Sequence, residues 1–219
     1  MLPLSLPLVA DRPLKVLCLG SHSDDIEIGC GGAVLELIAG RKNLQFTWVV
    51  FSSGGGARET EARASADLFL QGVRQKEVLV HGFRDSFFPS DFPKIKETFE
   101  ELKRVTPDLV LTHSRKDAHQ DHRVVAELTW NTFRNHLVLE YEIPKYDGDL
   151  GQPNVFMPLR AASYQNKVNY LMEAFASQRS KRWFQPETFM GLMRLRGMEC
   201  NAESGYAEAF YGRKVTLGL

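Results

Sequence analysis

The chain lacks a surplus of charge: Lys and Arg total 27, and so do Asp and Glu. That balance gives no argument for a nucleic-acid or anionic-membrane partner. Cysteine is scarce. Cys18, Cys30 and Cys200 are odd in number, and no two are spaced as a zinc knuckle or a redox pair. A disulfide framework is therefore not expected, and a reducing, cytoplasmic compartment is the simplest setting. No uncharged apolar run approaches the length of a membrane span. The start, Met1 to Ala10, has an apolar stretch but no basic lead, and Pro3 and Pro7 interrupt it, which disfavours a secretory signal. Internal repeats and low-complexity segments are absent. So are the glycine fingerprints of nucleotide sites. Gly54-x-Gly56 is followed by Glu59 where a third Gly belongs, Gly29-x-Gly31 by Val34, and there is no Gly-Lys-Ser/Thr.

What is present is a strand–helix alternation over the first two-thirds. Apolar runs at Lys15–Leu19, Phe46–Phe51, Glu77–His81, Asp108–Thr112 and Leu137–Glu142 predict strands. Between them, Gly31–Ile38, Arg58–Leu70, Pro93–Val105 and Asp121–Phe133 predict helices. Ala62, Ala66, Phe69 and Leu70 share one face, as do Ile95, Phe99 and Leu102. This order predicts an α/β fold: an open, mostly parallel, Rossmann-like sheet with helices on both faces in a three-layer sandwich. One domain over 1–219 is expected, with 1–13 as an N-terminal extension. Residues 146–219 then form a substrate loop and a helical closing part. In that last third, Tyr146–Met157 reads as a loop near the site, and Ala161–Ser177 and Glu187–Leu195 as helices.

Two clusters stand about a hundred residues apart, each just past a predicted strand. The first is His22-Ser23-Asp24-Asp25, and the second is His119-Gln120-Asp121-His122. In an open parallel sheet, residues past the carboxyl ends of strands converge on one crevice. His22 and Asp25 can point at one divalent ion, and catalytic zinc sites use three protein ligands plus an open position. With Asp25 on a metal, Asp24 is free to act as a base. Of His119 and His122, one can be the third ligand and the other can reach a substrate carbonyl. His113 and His81, at strand ends, face the same crevice with supporting roles, and His136 reads as a surface residue. Each cluster alone has a plainer explanation, as helix caps and solvated polar residues. Together they exceed what a fold needs for its own stability. Phe87, Phe88 and Phe92, beside Pro89 and Pro93, are apolar enough to line a site or a contact in a homo-oligomer.

These residues resemble a known family. His22-Ser23-Asp24-Asp25 with Gly29-Cys30-Gly31-Gly32 is similar to the Pro-His-Pro-Asp-Asp…Gly-x-Gly-Gly signature of the PIG-L/LmbE-like de-N-acetylases, and His119–Arg123 resembles its second metal motif. Arg58–Glu61, Gly82–Asp85 and Tyr206–Phe210 resemble further family segments, so the likeness runs over nearly the whole chain. Ser21 and Ser23 depart from it, standing where prolines or small residues are usual. The resemblance implies hydrolysis of the acetamide of an N-acetylglucosamine-containing compound, with Zn²⁺ on an LmbE-like sheet. It implies His22, Asp25 and His122 as metal ligands, Asp24 as general base, His119 as the imidazole stabilising an oxyanion, and Asp121 as support for that imidazole. Arg58, Asp85 and Glu208 are implied as substrate contacts or supporting groups. A His₂Asp set also suits other divalent ions such as Fe²⁺. Two alternatives remain: a zinc amidase acting on another N-acyl amine such as a thiol conjugate, and a non-catalytic Rossmann-like module binding a nucleotide or sugar.

Overall fold

The computed structural model describes Pro3 and residues 12–216. The signal-like stretch and most of the expected N-terminal extension lie outside the described residues. The strands are β1 (Leu14–Gly20), β2 (Leu44–Ser52), β3 (Gln75–Phe83), β4 (Leu109–His113), β5 (Leu137–Tyr141), β6 (Val155–Pro158) and β7 (Ala207–Gly212). The α-helices are α1 (Asp25–Gly40), α2 (Ala57–Phe69), α3 (Phe92–Leu102), α4 (Gln120–Thr132), α5 (Ala161–Ala174) and α6 (Pro186–Glu199). Among the described residues, no helix is long and apolar enough to cross a membrane.

The strands form one sheet in the order β3-β2-β1-β4-β5-β7-β6. β1 to β5 run parallel, and β7 inserts antiparallel between β5 and β6. Strand order reverses between β1 and β4, which pair at Val16 with Leu109 and at Cys18 with Leu111. That is the switch point at which such sheets open a crevice.

Side-chain alternation builds both faces. Val16, Cys18, Phe46, Trp48, Leu109 and Leu111 point into a core shared with α1, α2, α5 and α6. Their neighbours Leu17, Leu19, Val49, Phe51 and Val110 point into a second core beneath α3 and α4. Strands buried on both faces lose the apolar–polar alternation and become continuous apolar runs, which is why β1, β2 and β4 are legible in the sequence, while β3 at the sheet edge has no fully buried residue.

Several expectations need correction. α1 starts at Asp25, not Gly31, because a helix tolerates glycines that its packing requires. The Tyr146–Met157 loop ends in β6 from Val155, and the Tyr206–Phe210 motif lies mostly in a further strand, β7. The phenylalanine cluster divides: Phe88 is fully buried, while Phe87 is 41% exposed.

Candidate metal centre and active site

β1 ends at Gly20, and the turn after it delivers His22, Asp24 and Asp25. The His22 backbone N–H donates to Asp25 Oδ2 at 2.7 Å, which folds the turn back on itself. Asp24 is the N-cap of α1, and Asp25 and Glu27 lie in its first turn, where the helix dipole favours negative charge. On the other side of the switch point, His119 caps α4: its Nδ1 accepts the Asp121 N–H at 3.2 Å. This cap leaves Nε2 to carry the proton of a neutral His119.

Three donor atoms from the two clusters form a compact triangle. His22 Nδ1 lies 3.2 Å from His122 Nε2 and 3.2 Å from Asp25 Oδ2, and His122 Nε2 lies 3.4 Å from the same Asp25 oxygen. A tetrahedral zinc with ligands at about 2.0–2.1 Å has ligand-to-ligand edges of about 3.3–3.4 Å. The triangle therefore fits one face of such a site. Other sets overlap it, namely His22, His119 and His122; His22, Asp85, His119 and Asp121; and Asp25, His113 and His122. His113 is the weaker ligand, because its Nε2 already accepts the Ser21 N–H at 3.0 Å.

Both triangle imidazoles are held by a carboxylate on the far nitrogen. His22 Nε2 lies 3.2 Å from Asp121 Oδ2 and 3.2 Å from Asp85 Oδ1, and His122 Nδ1 lies 2.9 Å from Asp117 Oδ2. A carboxylate on the non-ligating nitrogen fixes the tautomer and the ring angle of a metal-binding His. Asp117 also accepts the His119 N–H at 2.8 Å, and Lys145 reaches it at 3.1 Å. Neither Asp117 nor Lys145 stands out in the sequence. The only signal is an acidic residue five positions before His122, in a polar run that looks like an ordinary loop.

Asp121 is not placed as expected. Its carboxylate does not hold His119. It accepts the backbone N–H groups of Ser86 at 2.6 Å and Phe88 at 3.1 Å, and it faces His22. Only its backbone N–H meets His119, because the first turn of α4 points this side chain towards the loop after β3. Of the two roles implied for Glu208, substrate contact or supporting group, the geometry matches the second. Glu208 is buried behind α1, with its oxygens on Lys167 and on the backbone of Gly32 and Ala33, and it has no free face for a substrate. His81 lies along the second core, stacked on Phe51, not in the crevice.

The electrostatics separate the two adjacent aspartates. Burial works against ionisation of Asp25, but the imidazoles of His122, His113 and His22 outweigh it and hold the group well below the usual carboxylate range. Burial raises Asp24, and Asp25 adds to that, while Arg58 and His22 oppose it. Arg58 Nη2 reaches Asp24 Oδ1 at 3.3 Å, and Asp24 Oδ2 is buried without a hydrogen-bond partner. Burial and His113 push His122 down to about 4, so its imidazole is neutral near pH 7, the form that binds metal. Burial and His22 also lower His119. His22 moves the other way: burial opposes its charge, but Asp25, Asp121 and Asp85 raise it well above the ordinary value.

Residues 17–133 match the PIG-L family, described as GlcNAc-PI de-N-acetylase. The chain belongs to the PIG-L family. Solved structures extend the likeness of fold across the chain. The N,N'-diacetylchitobiose deacetylase from Pyrococcus horikoshii is 20% identical, with a TM-score of 0.66, covering 90% of this chain and 82% of that one. The zinc-inhibited form of teicoplanin deacetylase Orf2 is 14% identical, with a TM-score of 0.70 and coverage of 90% and 97%. GalB, a 4-carboxy-2-hydroxymuconate hydratase from Pseudomonas putida KT2440, is 20% identical, with a TM-score of 0.72 and coverage of 94% and 99%. The PIG-L match spans both clusters, from β1 through α4.

Proposed function

We propose that this PIG-L protein is a metal-dependent de-N-acetylase. It removes the acetyl group from an N-acetylglucosamine-containing small molecule or glycoconjugate and releases acetate and the free amino sugar. The observation that carries this reading is the triangle of His22 Nδ1, Asp25 Oδ2 and His122 Nε2, with the unpartnered Asp24 oxygen beside it. The deacetylases among the structural neighbours support the reaction class.

His22, Asp25 and His122 would hold the ion, and zinc is the ion favoured by the family. When bound, it would supply Lewis acidity and a water acidified towards neutrality. Asp24 accepts the proton of the attacking water, because its Oδ2 is free and its affinity for protons is raised. The same carboxyl then gives that proton to the amide nitrogen as the C–N bond breaks. The charge that develops on the carbonyl oxygen is met by the Nε2–H of neutral His119, whose tautomer is set by the Asp121 N–H. Arg58, 3.3 Å from Asp24, favours the ionised form of the base against the effect of burial. Asp85 stands at the rim with its side chain 69% exposed and is suited to a sugar hydroxyl. The loop after Glu142 is tied to the site through Asp149, which accepts the Ala118 N–H at 2.7 Å.

A hydratase shares the fold, so the reaction is what must be tested. Zinc content and amine release are measured with N,N'-diacetylchitobiose and other N-acetylglucosamine conjugates, for the wild type and for Asp24→Asn. About one zinc per chain is expected, with amine release abolished in Asp24→Asn and its zinc retained. Undiminished turnover in that variant overturns the role of Asp24. A zinc-loaded wild type that releases no amine from any acetamide overturns the deacetylase reading.

A further inference from the structure

α1 carries Asp24 and Asp25 at its N-terminus, and three backbone groups in its second and third turns are gripped from outside the helix. Lys167 Nζ, from α5, donates to the Ile28 carbonyl at 2.6 Å. Glu208, from β7, accepts the Gly32 N–H at 2.8 Å through Oε1 and the Ala33 N–H at 2.7 Å through Oε2. Lys167 and Glu208 are paired with each other at 2.6 Å, and the exposure of their side chains is 3% each. The close approach depends on glycine. A Cβ on Gly32 would lie 2.7 Å from Leu159 and 2.9 Å from Glu208 Oε1, and one on Gly29 would enter the Tyr141 ring.

A buried ion pair is a poor source of stability, since apolar residues of the same volume often serve as well. Its bonds to one helix backbone suggest another use. Side chains that bond into a helix ladder are a recognised cause of local distortion, so they set where the helix sits along its axis. One residue of slip moves a helix by about 1.5 Å. Metal ligands tolerate about 0.2 Å, and about 1 Å of misplacement costs a reaction about 10²-fold.

We infer that Lys167 and Glu208 are a positioning pair for the proposed metal and base site, clamping α1 so that Asp25 reaches the His22–His122 pair and Asp24 the reacting water. This inference rests on the proposed function. It gives the Tyr206–Phe210 motif and the Gly29-Cys30-Gly31-Gly32 run one shared role, in which the motif supplies the clamp and the glycines supply the room for it.

The test is the full chain with Lys167→Met/Glu208→Met and, separately, with Glu208→Gln, which keeps the volume and one acceptor. Zinc affinity is read by chelator competition without substrate, well below each variant's melting temperature, and kcat and KM on the conjugate the wild type prefers. The dissociation constant for zinc is expected to rise at least about tenfold in the double variant and less in Glu208→Gln. kcat should fall with KM within about twofold. A folded variant of either kind with unchanged zinc affinity and unchanged kcat, whatever its melting temperature, overturns the inference. If the double variant does not fold, Glu208→Gln alone decides. A wild type that binds no zinc overturns the reading of the site itself, and a zinc-binding wild type matched by a folded variant in both zinc affinity and kcat overturns only the clamp.

Discussion

At the scale of single residues, the site rests on which nitrogen of each imidazole is free. His22 and His122 each give one nitrogen to the triangle and the other to a carboxylate, Asp121 and Asp117 respectively. Replacing such a partner typically weakens metal binding about 10–100-fold. Asp117→Ala is therefore expected to raise the zinc dissociation constant by that factor, and a chelator titration reads it. Wild-type zinc affinity in Asp117→Ala would remove Asp117 from the account. His119 uses its nitrogens differently: Nδ1 caps α4, so Nε2–H is the only donor it can offer. Asp24 and Asp25 are neighbours in sequence with opposite tendencies, one raised and one lowered. Environment, not residue type, divides the proposed base from the proposed ligand.

At the scale of elements, α1 is the part most constrained. Its Gly29 lies against the Tyr141 ring of β5, and the Tyr141 hydroxyl donates to the Leu19 carbonyl at 2.6 Å in β1. Gly29→Ala must push the ring away and disturb that bond. Overpacking of this kind costs about 1–3 kcal/mol. Urea melts of the metal-free protein should show that loss, and combining Gly29→Ala with Tyr141→Leu should recover part of it. Additive losses in the double variant would mean that the two residues do not share the contact. The last third of the chain is harder to read for a related reason. β7 is only six residues long, and its Ala207 and Ala209 carry little strand propensity. It is held by pairing on both sides, to β5 and to β6, which no local pattern reports.

At the scale of the whole molecule, three carboxylates crowd the start of α1, Asp24 at the N-cap and Asp25 and Glu27 in the first turn, and at Glu27 burial dominates. It is fully buried, and neither its oxygens nor the nearby Ser65 hydroxyl closes a hydrogen bond. Burial pushes it up to about 8. An unfolded Glu loses its proton near pH 4.3. Between that pH and about 8 the folded protein binds more protons at this group than the unfolded one, so its contribution to stability falls as pH rises through this window. Glu27→Gln should flatten that slope. Denaturant melts of the metal-free protein at pH 5 and pH 8 should converge in the variant and differ by up to a few kcal/mol more in the wild type. An unchanged slope would mean that Glu27 is already compensated.

The sequence by itself determined the order of elements and the two clusters on which the proposed chemistry rests. The inner strands β1, β2 and β4, buried on both faces, must be continuous apolar runs, and a parallel sheet must alternate strands with helices, so β1 to β5 and α1 to α4 could be read in order. The two His–Asp clusters could be read as well, because each follows a strand end, where such sheets place their crevice. Only the tertiary structure decided the partners. Asp117, Lys145 and Lys167 look like ordinary polar residues in isolation. Asp121 turned out to serve His22 instead of His119, and Glu208 to hold α1 instead of a substrate. Local pattern records which residues face inward. It does not record which carboxylate meets which imidazole or amide, because that depends on how the elements are brought together in space, across 99 positions for His22 and Asp121 and 176 for Gly32 and Glu208, and on the glycines that let them approach.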